Sequence, residues 1–251
     1  MTSNGAVWPT EPKRDLLNNV ISERAQPRKR GRPVGRTAEG EATGRRLFET
    51  AITLIGERGY EAATLRDVAA TAGVSPALLY RYFPNKRSVV LALYDALSGA
   101  FARELDAMPS ARWRERFVFA LELSLHVMGP HRVTLRALAP VMIGSTDDGV
   151  FAGNAVSSRD RVMKAFEQTV TGATDAPDGA LAESLGRLLY LGHLCVILWW
   201  LLDRTPNQRA TRALVVLIGQ ILPSVALTLT LRPVSGFVQS ADALFQDALL
   251  R

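Results

Sequence analysis

The chain has 251 residues, 47% of them hydrophobic and 22% charged, with a formal net charge of +6 and one cysteine. That length allows one or two domains with a substantial core, while the lone Cys195 excludes an intramolecular disulfide and fits a reducing cytoplasm. Residues 1–100 carry 15 Lys/Arg against 10 Asp/Glu and residues 101–251 carry 15 against 14, so the positive charge gathers at one end, as a nucleic-acid contact would need.

Residues 1–40 lack helical periodicity and are rich in Pro, Gly, Ser, Asn and Arg; they are expected to form a disordered basic arm. The first 22 residues hold no apolar run of the kind a secretory leader needs. Within the arm, Arg24 to Ala38 carries six basic residues and no acidic one, centred on Arg30-Gly31-Arg32-Pro33. This tetrapeptide resembles the core of an AT-hook, in which Arg30 and Arg32 would read a narrow minor groove. The other reading is a flexible arm that tracks phosphates without sequence preference.

From Glu41 to Arg58, Leu47, Ala51, Leu54 and Ile55 recur at helical spacing, and Gly59 ends that helix. A compact helix-turn-helix follows over residues 64–87. Leu65, Val68 and Ala69 form the apolar face of its first helix, and Gly73 supplies the positive φ of the reversal. Ser75 caps a second helix with Pro76 at its first position, which runs to Phe83 and stops before Pro84. Leu79 and Phe83 take its apolar side. Tyr80, Arg81 and Tyr82 cannot all enter so small a core, which leaves hydroxyls and a guanidinium for phosphates. Ser88 is expected to cap a fourth helix bearing Val89, Leu93, Ala96 and Leu97 and reaching about Met108.

Over roughly residues 42–95 this stretch resembles the DNA-binding domain of the tetracycline-repressor (TetR) family. The match rests on the Thr that opens the first helix, the Ala-Gly-Val-Ser turn, the Leu-Tyr-Arg-Tyr-Phe run and the Asn-Lys after it. The resemblance implies a dimer on double-stranded DNA, a small-molecule pocket in a helical bundle, and release of DNA when that pocket fills. Arg66, Pro76, Ala77 and Leu78, at the exposed starts of the two helices, are the candidates for touching bases. Thr64, Tyr80, Tyr82 and Lys86 suit phosphates, with Ser75 and Arg81 on the same surface. The chain departs from the family where members usually carry Gly or Ala and then Thr or Ser. Leu78 cannot donate to a phosphate; that contact is lost or replaced by apolar contact with a thymine methyl.

The rest reads as helices over 111–128, 132–144, 150–171, 179–203, 207–231 and 239–250. The joints are turn-rich at Gly129-Pro130, Ser145 to Gly149, Gly172 to Gly179, Thr205-Pro206 and Arg232 to Gly236. The expected architecture is all-α with about ten helices: an arm (1–40), a helix-turn-helix domain (41–95) and a helical sensing and dimerisation domain (96–251). Phe117, Leu121, Met142, Met163, Phe166, Tyr190 and Trp199 are candidates for an apolar pocket, with His126 and His193 as its polar anchors. Each is also an ordinary core residue on its own.

His126, His131 and His193 lie in no metal or nucleophile motif, and Asp147-Asp148 has no partner ligands, so neither a metal, a cofactor nor an enzyme activity is expected. Two runs, Leu188 to Leu202 and Ala213 to Leu231, carry no charge. Cover by a second copy in a four-helix bundle accounts for them, as for the adjacent Trp199 and Trp200, which a helix sends about 100° apart. The function expected is a cytoplasmic, nucleoid-associated, ligand-responsive regulator, a repressor on a pseudo-palindromic operator. An architectural or membrane-anchored DNA-binding protein without an effector is the alternative.

Overall fold

A computed structural model describes residues 38–144 and 155–250. Ten α-helices are present among them: α1 (Ala38–Arg58), α2 (Leu65–Thr71), α3 (Pro76–Tyr82), α4 (Lys86–Leu105), α5 (Trp113–Met128), α6 (Arg132–Gly144), α7 (Val156–Thr171), α8 (Gly179–Leu202), α9 (Arg209–Thr228) and α10 (Arg232–Leu249). No strand occurs among the described residues. The expected arm with Arg30 and Arg32, the turn at Ser145 to Gly149 and the start of the helix expected over 150–171 lie outside them.

Local chemistry explains the N-terminal unit. Thr64 Oγ1 accepts from the Asp67 N–H at 3.1 Å while the Asp67 carboxylate accepts from the Thr64 N–H at 3.2 Å, a reciprocal cap that starts α2. Hydrogen bonds from the Thr64 hydroxyl and backbone hold the Asp67 carboxyl below its ordinary value. Gly73 turns the chain at φ +65°, and Ser75 Oγ accepts from the Leu78 N–H to cap α3. Leu47, Phe48, Ile55, Val68, Leu79, Phe83 and Val89 close the core beneath these helices.

Two boundaries differ from expectation. Asn85, not Ser88, caps α4: its Oδ1 accepts from the Ser88 N–H at 2.8 Å, and the buried Ser88 hydroxyl donates back to the Asn85 carbonyl at 2.6 Å. The expected turn over Arg232 to Gly236 is instead the start of α10. Pro233 sits in the first turn, where its missing N–H costs nothing.

One apolar cluster runs from Leu47 in α1 to Phe245 in α10, with α7 in contact with α4, α5 and α8. Arginines from neighbouring helices satisfy the carbonyls that helix ends leave open. Arg116 donates to the Thr169 and Gln168 carbonyls at the end of α7, and Arg132 to the Trp200 and Asp203 carbonyls at the end of α8. The Asp203 carboxylate then accepts from the backbone and hydroxyls of Thr205 and Thr211, fixing the entry to α9. Burial opposes its ionisation, but these four bonds outweigh it and hold the carboxyl far below the usual range. The α8 helix crosses α7 at Gly186, where a Cβ would stand 2.5 Å from the Glu167 Cα. Beside the crossing, Arg187 grips Asp242 of α10 through two nitrogens and reaches Glu167 at 3.1 Å.

Candidate nucleic-acid interface and internal cavity

The two short helices divide their residues sharply. On α3, Leu79 is fully buried, while Pro76, Ala77, Tyr80 and Arg81 face solvent, Tyr80 with 46% of its surface. Arg66 is exposed on the first turn of α2. These five are exposed, Arg66 in the first turn of α2 and the other four along one side of α3. Leu78 is half-buried.

The other members of the expected DNA surface have partners inside the protein. The Thr64 and Ser75 oxygens are caps. Tyr82 donates its hydroxyl to the Gly40 carbonyl at 2.9 Å, tying α3 to the start of α1. Lys86 donates to the Tyr60 and Glu61 carbonyls and lies over the Tyr60 ring, so its ammonium already closes the loop after α1. Sequence reasoning took Tyr82 and Lys86 as phosphate groups because both are polar and adjacent to the motif. Neither the 42-residue nor the 26-residue separation to its partner leaves a local signal.

The second feature is a cavity of about 120 Å³ bounded by α4, α5, α6, α7 and α8. Its wall is mostly aliphatic and aromatic, and it includes Met142, Tyr190 and His193 of the expected pocket. The remaining candidates lie elsewhere. Phe117, Leu121 and Phe166 are packed solid behind the wall and Met163 packs against that core, because a bundle this tight spends most large apolar side chains on filling. His126 borders a separate recess near Arg132 and Trp200. Trp199 is 50% exposed, whereas Trp200 is 3% exposed, so the pair diverges as the helix geometry requires, and Trp199 leaves the pocket altogether. Sequence reasoning missed Tyr94, Phe101, Ser124 and Arg159, which line the cavity from α4, α5 and α7.

His193 is the chemically distinct member of the wall. It is 4% exposed, its ring centroid stands 4.5 Å from that of Phe166, and Phe101 and Tyr190 flank it. Its Nε2 lies 2.7 Å from the Ser124 hydroxyl, while Nδ1 is buried with no hydrogen-bond partner among the described residues. Burial drives its pKa down to about 3, so the imidazole is neutral, and burial likewise pushes the Tyr190 phenol up. Among the described residues no group of three or more His, Cys, Asp or Glu is placed to hold a metal ion.

A family model described as "Bacterial regulatory proteins, tetR family" matches residues 47–93, from α1 into α4. Residues 47–93 therefore resemble the N-terminal region of the TetR family. It is 40% identical over 76 residues to the HTH-type transcriptional regulator BetI of Rhizobium meliloti, covering 30% of this chain and 37% of that protein. It is 29% identical over 183 residues to an uncharacterized HTH-type transcriptional regulator of Mycobacterium tuberculosis, covering 71% of this chain and 86% of that one. Two solved TetR-family structures share the fold. The regulator from Streptomyces coelicolor has a TM-score of 0.57 at 20% identity, covering 81% of this chain and 89% of its own. The TetR regulator from Nitrosomonas europaea has a TM-score of 0.54 at 19% identity, covering 72% and 97%. The matched residues include α2 and α3, the helix-turn-helix that this chain shares with these transcriptional regulators.

Proposed function

We propose that the protein is a homodimeric repressor of a pseudo-palindromic operator, working in the cytoplasm and released by a small, largely apolar effector. The observation that carries this reading is the continuity of α4. Its N-terminal half gives Val89, Val90 and Leu93 to the core beneath the helix-turn-helix, and its C-terminal half gives Tyr94, Leu97, Ser98 and Phe101 to the cavity wall. A molecule that fills the cavity therefore pushes on the helix that follows α3 in the chain and packs against α1, and a change in its angle alters the separation of two recognition helices in a dimer.

A second connection supports the same coupling. Thr134 of α6 donates its buried hydroxyl to the Ile52 carbonyl of α1 at 3.0 Å, while Leu135 and Met142 of that helix line the cavity. The segments Gly179–Leu202 and Pro206–Thr228 are long and apolar enough to cross a membrane by length and composition. Yet α8 packs on α7 and α10, and α9 packs on α5, so each has a protein partner along one side. Cover of the other side by a second copy accounts for the apolarity without a bilayer.

The test is selection of bound DNA from a random pool, followed by a screen of small apolar compounds against the best site. Enrichment of an inverted repeat with release by some compounds is expected. Failure to enrich any sequence overturns the operator reading, and a site that no compound releases overturns the effector reading.

A further inference from the structure

We propose that Arg30-Gly31-Arg32-Pro33 reads A·T base pairs in the minor groove on the outer flank of each operator half-site, half a helical turn beyond the base pairs that α3 contacts. This rests on the reading of α3 as the helix that enters the major groove. Arg30 and Arg32 lie outside the described residues, and what positions them is the place where their segment joins the fold.

Tyr82, the last residue of α3, donates its hydroxyl to the Gly40 carbonyl at 2.9 Å, across 42 residues of chain. That bond fastens the first turn of α1 to the end of the helix on which Pro76, Ala77, Tyr80 and Arg81 are exposed. The chain upstream of Ala38 therefore begins beside α3. Arg32 and Arg30 stand six and eight residues before Ala38, so they reach at most about 22 and 29 Å from it. A duplex turns once in about 34 Å, which brings a minor groove to the protein's side roughly 17 Å to either side of a major-groove contact. The next such place is a full turn further and out of reach. With half-sites one turn apart, the inner groove lies on the dyad and would have to take the like charges of both arms. The outer groove takes one arm.

The residue types suit a groove floor rather than the phosphates alone. Phosphate tracking needs only charge, which leaves Gly31 and Pro33 without a role. Gly31 has no Cβ to hold the backbone off the bases, and Pro33 biases Arg32 toward extended backbone. Two residues apart on an extended chain, Arg30 and Arg32 project to the same side about 6.6 Å apart, close to the rise of two base-pair steps. A narrow A·T minor groove concentrates the negative potential that draws such side chains in. Glu39 and Glu41 in the first turn of α1 repel phosphates, so the basic contact falls to the residues upstream of them.

The test uses the full chain and the operator selected from the random pool, with its outer flanks rebuilt as A·T, G·C or inosine·cytosine pairs. Inosine lacks the guanine N2 amino group, so its pair presents an A·T-like minor groove and a G·C-like major groove. Affinities measured by anisotropy at one salt concentration are expected to agree within about twofold on A·T and inosine·cytosine flanks, and to be about tenfold weaker on G·C flanks. Moving the A·T tract half a turn further out is expected to give the G·C value. Replacing both arginines, Arg30→Ala with Arg32→Ala, is expected to erase the difference between flanks while the half-sites are still bound. Inosine·cytosine flanks that behave as G·C flanks, a tract that works equally at both positions, or a preference that survives in the double variant overturns the proposal. Half-sites bound with no flank preference overturn it and leave the operator reading standing, whereas a chain that selects no half-site overturns both.

Discussion

A histidine enclosed by Phe101, Phe166 and Tyr190 cannot take up a proton without stranding a charge, and that restricts the acidity the fold tolerates. Burial lowers the His193 pKa from 6.5 to about 3, so the unfolded chain binds a proton there that the folded chain refuses. The contribution is fully present above pH 6.5 and is lost as pH falls toward 3, amounting to about 2 kcal/mol at pH 5. Chemical unfolding at pH 7.5 and pH 5 should therefore show a fall in wild-type stability that is about 2 kcal/mol smaller in His193→Phe; parallel falls would rule out His193 as the acid-sensitive group. On the DNA side, exposure separates the residues still free to act. Tyr80 is exposed on α3, and under the proposed phosphate role Tyr80→Ala should weaken every operator alike, whereas changes at Arg66 or Ala77 should alter preference among operators. Equal loss on all sequences for the three variants would refute that division.

At the scale of elements, two contacts decide how the bundle is held. Glycine inside a helix costs about 1 kcal/mol relative to alanine, so Gly192, with nothing within 4 Å of its Cβ position, should be stabilised by Gly192→Ala. At Gly186 of the same helix the added carbon meets the Glu167 backbone, and overpacking of roughly 1–3 kcal/mol outweighs that gain, so Gly186→Ala should lower the melting temperature. A rise in both variants would show that the α7–α8 crossing yields. The Thr134 contact between α6 and α1 predicts a different phenotype: Thr134→Val should keep operator affinity but blunt release by effector, measured by anisotropy on the selected site. The helices and the helix-turn-helix were legible in the sequence because caps, Gly73 and apolar spacing are local. The cavity was legible in part, at Met142, Tyr190 and His193. Which aromatic fills the core and which faces a void is set by crossings such as that at Gly186, and these join residues far apart in the chain. The α10 boundary was misplaced because Pro233 starts a helix as readily as it breaks one.

For the whole molecule, charge and apolar surface each predict an assembly property. The six basic residues between Arg24 and Ala38 should release counterions from DNA, so deleting residues 1–38 should flatten the salt dependence of affinity by several contacts. An unchanged slope would show that the arm stays off DNA, and preserved affinity for A·T-rich flanks after Arg32→Ala would remove the AT-hook reading alone. The apolar surface argues for the dimer. Val216, Leu217, Ile221 and Val225 form an exposed stripe at helical spacing on α9, Leu198, Trp199 and Leu202 are exposed at the end of α8, and Phe237 and Leu244 stand exposed on α10. On α8 the exposed large apolar residues fall in the last turns rather than along its whole length, since Leu185, Tyr190 and Val196 are buried within the protomer. A monomer would leave this surface in water, at about 25 cal/mol for each Å² that a partner could cover. Replacing Leu217 and Ile221 together with glutamate puts two like charges into the centre of the symmetric contact and, by symmetry, four in all. The variant should sediment as a folded monomer and bind a single half-site. Its affinity for the full operator should drop by about 10² to 10⁴, the advantage that linking two binding units confers. A variant that still sediments as a dimer would move the interface off α9, and a wild-type protein that sediments as a monomer would remove the dimer from the mechanism.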